Sequence, residues 1–299
     1  MQWNMTGVTV AGTGVAGSSG NQFSSPWNLF VDSNKNIYVA DANNHRIQYW
    51  SAGAITGVTI AGTGSSGSAL NQLNIPSDIF VTSAKNFYVA DRGNNRIMFF
   101  RNGSTTGSSI STGWGGTGGF RGVQVDSAGR VYGNDTSNHA LWRNNTVPLG
   151  YQGAGSGSHQ LNGNQGIAID NDVNVGYVYI ANANQHTVVQ WIPVSSTANV
   201  VAGTNGVLGN SNTTMAYPVA VRLDSSGNLY VVDNNNHRVQ LYCRSPNIST
   251  VARTIIGTGS AGATAMTLNF PSGLALDSDL NIYVADTSNH RVQKFMRIT

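Results

Sequence analysis

Hydrophobic residues along the chain fall into short runs separated by segments rich in Gly, Ser and Asn. The first clear set of four runs comprises residues 27–32, 36–41, 46–50 and 58–61. Runs of this length, rich in β-branched and aromatic residues and bounded by turn formers, are typical of β-strands. No stretch combines a 3.6-residue apolar period with capping residues, so essentially no helix is predicted.

This set of four runs occurs six times. Its most regular part reads Ile-Tyr-Val-Ala-Asp, and the last position is occupied in turn by Asp41, Asp91, Asp135, Asn182, Asp233 and Asp286. These positions are 49 residues apart on average, so six periods account for nearly all 299 residues. Four short strands per roughly 40–50 residues are typical of a propeller blade. The sequence therefore predicts an all-β, six-bladed β-propeller of four-stranded antiparallel blades, forming a single domain over residues 1–299.

The two ends of the chain complement each other in this pattern. Residues 8–14 match the fourth strand of a period, whereas residues 292–295 match a third strand. We expect the N-terminal strand to complete the C-terminal blade and close the ring. That pairing would remove a seam of unpaired backbone groups, which could otherwise pair with another chain.

Each period also carries a short motif after its second strand. The motif reads Asn-His-Arg at residues 44–46, 236–238 and 289–291, and it is altered at 94–96, 138–140 and 185–187. A Pro followed by an apolar strand ending in Asp opens three of the periods, at residues 26–32, 218–224 and 271–277. These motifs resemble the NHL-repeat family, and the resemblance covers all six periods. It implies a six-bladed propeller but no single activity, because the family includes RNA-binding, protein-binding and enzymatic domains.

In four periods an Asp and an Arg flank the four-residue turn between the second and third strands. These structural repeat pairs are Asp41 with Arg46, Asp91 with Arg96, Asp233 with Arg238, and Asp286 with Arg291. We expect each pair to face across its hairpin and fix the register. As exposed pairs they would each contribute only about 0–1 kcal/mol.

The histidines repeat as well, at His45, His139, His186, His237 and His290. Turns in different blades are too far apart for all of them to bind one metal ion at about 2 Å. We therefore expect these side chains to pack their own turns, and we predict neither a metal nor a cofactor.

The acidic residues offer few candidates for a catalytic role. The chain contains 13 Asp and no Glu, and ten of the Asp occupy two repeated positions. Cys243 is the only cysteine, and no motif supports a Ser-His-Asp or Cys-His arrangement. Paired carboxylates for acid–base chemistry have no obvious second member, so no catalytic residue is predicted.

The residues that depart most from the repeat open the inner strands. Strand direction places them on the face that carries the blade-to-blade loops and the Asn-His turns, here called the top face. They form the mouth of the predicted channel: Trp27, Asn28, Ser77, Asp78, Arg121, Gln165 and Ser272. This mixture of aromatic, charged and amide groups favours a non-catalytic interaction propeller that binds a protein, peptide or glycan partner.

Two alternatives remain open at this point. A metal-assisted lyase or hydrolase could use the same channel mouth. An RNA-binding propeller could use the opposite face, here called the bottom face, where basic residues gather in or beside the turns: Lys35, Lys85, Arg101, Arg130, Arg143, Arg244 and Arg297. Few aromatic residues interleave with them, so a nucleic acid partner is not favoured.

No run of 18 apolar residues occurs, so no membrane insertion is predicted. Asn-X-Ser/Thr sequons at Asn4, Asn102, Asn144, Asn212 and Asn247 fit a secreted chain. We expect a soluble extracellular or cell-surface protein, as a module of a larger protein, with self-assembly left open.

Overall fold

A computed structural model describes residues 1–111, 119–144, 146–150, 153–170, 176–192, 195, 197–245 and 247–298. Six four-stranded antiparallel sheets, here called blades 1 to 6, follow one another along the chain. The first strand of each blade contacts the first strands of the blades on either side, and the last such strand contacts the first. The result is the closed six-bladed propeller that the sequence predicts, with its inner strands around a central channel.

The strands are numbered in chain order. The first, β1 (Val8–Ala11), precedes blade 1, which contains β2 (Pro26–Val31), β3 (Ile37–Asp41), β4 (Arg46–Trp50) and β5 (Val58–Ala61). Blade 2 contains β6 (Pro76–Val81), β7 (Phe87–Asp91), β8 (Arg96–Phe100) and β9 (Ser108–Ser109). Blade 3 contains β10 (Phe120–Val125), β11 (Val131–Asp135), β12 (Ala140–Arg143) and β13 (Thr146–Leu149).

The second half of the ring repeats this plan. Blade 4 contains β14 (Asn164–Ile169), β15 (Val178–Asn182), β16 (Thr187–Trp191) and β17 (Ala198–Ala202). Blade 5 contains β18 (Pro218–Leu223), β19 (Leu229–Asp233), β20 (Arg238–Tyr242) and β21 (Arg253–Ile256). Blade 6 contains β22 (Gly273–Leu276), β23 (Ile282–Asp286), β24 (Arg291–Phe295) and, as its outer strand, β1.

The N-terminal strand closes the ring. In the antiparallel ladder between β1 and β24, Val8 lies opposite Lys294, and Ala11 lies opposite Val292. Blade 6 thereby gains the fourth strand that its own repeat lacks, and the prediction of closure is confirmed.

Helical structure in the described residues is limited to five 3-10 turns of three residues each, between the second and third strands of five blades. They are Ala42–Asn44, Arg92–Asn94, Ala183–Gln185, Asn234–Asn236 and Thr287–Asn289. Each ends at a residue in the left-handed region, such as His45 at φ 51° or Asn95 at φ 52°. The described part of the chain has no helix with the length and apolar character needed to cross a membrane.

The hydrophobic core lies between adjacent blades rather than in the channel. Between blades 6 and 1, for example, Leu29 and Val39 pack with Tyr283, Ala285 and Val292. Successive side chains of a strand point to opposite faces of its sheet. Each blade therefore packs one face against the preceding blade and the other face against the following blade.

Candidate ligand site at the mouth of the central channel

The seven candidate residues lie where the inner strands begin. At this end the pairing between first and second strands shifts register in five blades, for instance between Pro26 and Leu29 in blade 1. Such β-bulges bend a strand and redirect its side chains. The same short segment therefore supplies both groups that join blades and groups that reach the channel mouth.

Asn28 and Asp78 join inner strands to one another. Asn28 Nδ2 donates to Asp78 Oδ1 at 2.7 Å, and the Val123 backbone N–H donates to Asp78 Oδ2 at 2.9 Å. On the other side, Asn28 Oδ1 accepts from the Leu274 N–H at 3.3 Å. Burial raises the pKa of Asp78 to about 6, while Arg222 and the hydrogen bonds act in the opposite direction. These contacts link the inner strands of blades 6, 1, 2 and 3.

Ser77 and Ser272 are also buried and face backbone groups of the next blade. Ser77 Oγ donates to the Arg121 carbonyl at 3.1 Å, and Ser272 Oγ donates to the Trp27 carbonyl at 2.5 Å. Four of the seven predicted residues thus hold blades together and present no free group to a ligand.

The other three predicted residues meet at the channel mouth, where Trp27 and Arg121 are partly exposed and Gln165 is buried behind them. The Arg121 guanidinium carbon lies 5.2 Å from the ring centre of Trp27, and Arg121 Nη1 donates to Gln165 Oε1 at 3.0 Å. Two residues outside the predicted set complete the cluster. The Arg92 guanidinium carbon lies 5.6 Å from the Trp27 ring centre, and Gln165 Nε2 lies 3.5 Å from the Tyr217 hydroxyl. Side chains of blades 1 to 5 therefore converge here.

Electrostatics at the mouth are dominated by the two arginines. Burial and the positive charge of Arg92 together lower the pKa of Arg121 to about 10, whereas Tyr217 acts in the opposite direction. Burial also lowers the pKa of Arg92. Among the described residues, neither guanidinium forms a salt bridge with a carboxylate. Arg121 remains protonated at neutral pH, because a pKa near 10 is far above 7.

A third arginine lies further down an inner strand of the channel. Arg222 Nη1 donates to the Ile167 carbonyl at 3.3 Å and to its own strand at Val221 O, 2.9 Å away. Its Nη2 is buried and has no hydrogen-bond partner within the described residues. Burial lowers the pKa of Arg222, and attraction from Asp78 opposes this.

Arg92, Tyr217 and Arg222 were not identified from the sequence, although departure from the repeat marks two of them. Arg92 occupies the turn position that is filled in the other blades by Ala42, Thr136, Ala183, Asn234 and Thr287. Arg222 occupies the strand position that is otherwise filled by Phe30, Phe80, Gln124, Ala168 and Ala275. Aligning the six periods column by column would have singled out both arginines.

The Asp of each of the four Asp–Arg pairs is fully buried and the Arg side chains are at most 13% exposed, contrary to the expectation of exposed pairs. Arg46 Nε donates to Asp41 Oδ2 at 2.8 Å, and Asp41 is fully buried. The Arg46 guanidinium also donates to the carbonyls of Ser18, Ser19 and Gln22. Distances of 2.7–2.8 Å recur in the pairs Asp91–Arg96, Asp233–Arg238 and Asp286–Arg291. Each pair thus clamps the loop that enters its blade, besides fixing a hairpin.

The repeated histidines connect adjacent blades. His45 Nδ1 accepts from the Ile75 N–H at 3.1 Å, just before blade 2 begins. Equivalent bonds run from Gly163 to His139, Tyr217 to His186, Phe270 to His237 and Ser25 to His290. An Nδ1 acceptor requires a neutral imidazole. Within the described residues, no three His, Cys, Asp or Glu side chains are grouped so as to hold a metal.

On the bottom face, several of the basic residues are neutralised by ion pairs. Lys35 pairs with Asp279 at 2.6 Å, and Lys85 pairs with Asp32 at 2.6 Å. Arg130 and Arg244 pair with Asp126 and Asp170 at 2.6 and 2.8 Å. The free positive charge available to a nucleic acid on this face is correspondingly reduced.

A sequence model of the NHL repeat matches residues 23–49, 215–242 and 268–295. The chain is an NHL-repeat β-propeller. The three matches cover the first three strands of blades 1, 5 and 6 of this propeller, where the Asn-His-Arg motif is intact. No curated protein sequence matches the NHL-repeat propeller.

Solved structures that resemble this propeller have diverse roles. An auxiliary nutrient binding protein from Bacteroides thetaiotaomicron has TM-score 0.72 and 17% identity, covering 99% of this chain and 77% of its own. Virginiamycin B lyase from Staphylococcus aureus has TM-score 0.64 and 11% identity, covering 99% and 100%. A chain of a nidogen/laminin complex has TM-score 0.56 and 19% identity, covering 73% and 75%. Identities this low show a common fold alone.

Proposed function

We propose that this NHL-repeat propeller is a non-catalytic binding module for a polar peptide or glycan partner, with its site at the channel mouth on the top face. The observation that carries the proposal is the cluster of Trp27, Arg92, Arg121, Gln165 and Tyr217, contributed by five different blades. Aromatic rings beside donors and acceptors suit ligands that combine apolar faces with polar groups.

The engagement of the acidic residues supports binding rather than catalysis. Twelve of the 13 Asp lie in the described part of the chain, whereas Asp172 lies outside it. Each of the twelve accepts a hydrogen bond from a backbone or side-chain group of the protein itself: Asp32, Asp41, Asp78, Asp91, Asp126, Asp135, Asp170, Asp224, Asp233, Asp277, Asp279 and Asp286. An acid–base catalyst needs a carboxyl within reach of the substrate, and these carboxyls are already used to hold the fold.

The structural relatives are consistent with a binding role in part. One is described as a nutrient binding protein, and another belongs to a nidogen/laminin complex, which is an assembly of proteins. Another relative is a lyase, so a binding assay must also test whether the ligand is converted to product.

The proposal is tested by screening the protein against arrays of glycans and peptides, and then repeating the screen with the double variant Trp27→Ala/Arg121→Ala. We expect the variant to lose the ligands of the wild type, because both side chains lie at the mouth and together supply the Trp27 ring and one of the two cations. Loss of two contacting side chains of this kind should weaken binding about tenfold or more.

Arg101→Ala is the control, because this exposed arginine follows the third strand of blade 2 on the bottom face. It should retain all ligands. Unchanged binding by the double variant, with its thermal unfolding unaltered, would contradict a site at the mouth. Conversion of a bound ligand to product would contradict a non-catalytic module.

A further inference from the structure

Two arginines share one tryptophan at the channel mouth, and no carboxylate accompanies them in the described residues. We propose that Arg92 and Arg121 bind an oxyanionic group of the ligand, a carboxylate or a phosphate. This inference rests on the proposed function and specifies the chemical class of what the mouth binds.

The well-buried arginines of the repeat each have a carboxylate partner, which Arg92 and Arg121 lack among the described residues. Arg46, Arg238 and Arg291 each lie 2.8 Å from a fully buried Asp. Arg92 and Arg121 are partly buried and close enough to repel each other, and their side-chain neighbours among the described residues are the Trp27 ring, the Gln165 amide and Tyr217 rather than a carboxylate. Repulsion between like charges strengthens as water is removed. An anion placed against both guanidiniums would relieve this repulsion and supply the absent counter-charge.

Within the part of the chain that the structure describes, little of the hydrogen-bonding capacity of the pair is used. A guanidinium carries five N–H donors in a planar fork, and Arg121 uses its Nη1 to donate to Gln165. Guanidinium forks match the two oxygens of a carboxylate or phosphate in a bidentate manner. Stacking against Trp27 restricts both side chains beforehand, so less rotamer entropy is lost when an anion binds.

Aromatic rings border this pair of cations. The Trp27 ring centre lies 5.6 Å from the Arg92 guanidinium carbon and 5.2 Å from that of Arg121, and Tyr217 is close enough to raise the pKa of Arg121. Charge-assisted hydrogen bonds are stronger where the surroundings are apolar. The border therefore favours an anionic group carried on a larger ligand over a freely hydrated ion.

The test uses matched probes that differ only in charge, measured by titration calorimetry at constant ionic strength. Capped tetra-aspartate is compared with capped tetra-asparagine, tetragalacturonate with its methyl ester, and inorganic phosphate is titrated alone. We expect at least one acidic probe to bind at least about tenfold more tightly than its neutral counterpart, since a hydrogen bond to a charged group is worth roughly this factor. Which acidic probe binds best distinguishes a peptide, a glycan and a phosphate source.

Variants then assign the binding to the two arginines. Arg92→Gln and Arg121→Gln should each weaken binding of the acidic probe about tenfold or more, and Arg101→Gln on the bottom face should leave it unchanged. Arg121→Lys keeps the charge without the planar fork and should give an intermediate affinity. It also serves as the test if Arg121→Gln does not fold.

Three results would overturn the inference. The acidic and neutral probes could bind with equal affinity, or every acidic probe could have a dissociation constant above about 1 mM. Both glutamine variants could also bind the acidic probe as tightly as the wild type does. These outcomes differ from failure of the proposed function. If neutral probes bind equally well and Trp27→Ala abolishes that binding, the site stands and only the oxyanion is wrong. If Trp27→Ala leaves the binding of every probe unchanged, the site itself is wrong.

Discussion

At the scale of single residues, the contribution of an ion pair to stability depends on how deeply the pair is buried. Asp41 and Arg46 are buried together and hold a loop through three backbone carbonyls, whereas Lys35 and Asp279 form a pair of similar length at the surface. Buried charges lose most of their hydration, so removing one partner leaves the other uncompensated. Exposed charges recover water when a partner is removed.

Asp41→Asn should therefore lower the free energy of unfolding by about 3–5 kcal/mol, because Arg46 would remain buried without its counter-charge. The matched change Asp279→Asn should lower it by less than about 1 kcal/mol. Urea titration of the wild type and both variants measures these differences. Equal effects of the two substitutions would show that burial does not determine the value of the Asp41 pair.

The sequence identified these residues but not all of their roles. Asp41 and Arg46 could be placed opposite each other because a hairpin fixes its own register. Their burial could not be predicted, because it depends on the carbonyls of Ser18 and Ser19, 27–28 residues earlier in the chain. Likewise, the approach of Arg92 to Trp27 depends on how two blades sit side by side, which no local pattern records.

At the scale of elements, the turns between second and third strands act as joints between blades. In five blades the histidine at the end of the turn has positive φ and accepts the backbone N–H that opens the next blade. Asn95 occupies this position in blade 2 with φ 52°. Asn tolerates the left-handed region well, so the backbone of the joint is compatible with either residue.

Protonation of a joint histidine should loosen the joint. Burial lowers the pKa of His237 although Asp286 and Asp233 attract its positive charge. Below the unfolded-state pKa of about 6.5 the unfolded chain then binds more protons than the folded one. The contribution of His237 is thus complete above about pH 6.5 and is lost as the pH falls through its lowered pKa.

His237→Asn removes this titration, so the stability advantage of the wild type over the variant should shrink as the pH falls from about 7.5 to 5. Urea unfolding at several pH values measures that advantage. If the free energies of unfolding of wild type and variant change in parallel with pH over this range, protonation of His237 does not break its bond with the Phe270 N–H.

The strand pattern itself was readable from the sequence, because short strands with period-2 alternation and turn residues recur in every period. The inner strands were the exception in detail. Asn28 and Asp78 form bonds between blades, although their place at the start of the inner strands groups them with Trp27 and Arg121 at the mouth. The sequence does not report the register shifts at this end of the strands, so the division of the seven residues required the three-dimensional structure.

At the scale of the whole molecule, closure depends on one short strand. Pairing of β1 with β24 covers the outer edge of blade 6, and Trp3, which is 5% exposed, packs edge-to-face on Tyr230 in blade 5. The N-terminal segment therefore secures both a sheet edge and part of the core.

Deletion of residues 1–11 should lower stability by at least about 3 kcal/mol, the usual cost of losing one buried Trp. It should also cause association at high protein concentration, because β24 would become an open edge. Light scattering after size-exclusion chromatography measures the association. A synthetic peptide of residues 1–14 should restore the monomer, and a truncated protein that stays monomeric and equally stable would contradict the role of β1.

The pairing of β1 with β24 also constrains the order of events during synthesis. Residue 8 leaves the ribosome long before its partner Lys294 exists. At about 5–20 residues per second the delay is roughly 15–60 s. Throughout this time five complete blades can assemble side by side, while the first strand stays without its ladder. The ring can therefore close only after β24 has been made, and until then the chain is an open arc whose two terminal blades each lack a neighbour on one face. A chaperone that shields β1 until β24 has been made would act while this propeller is most exposed to misassembly.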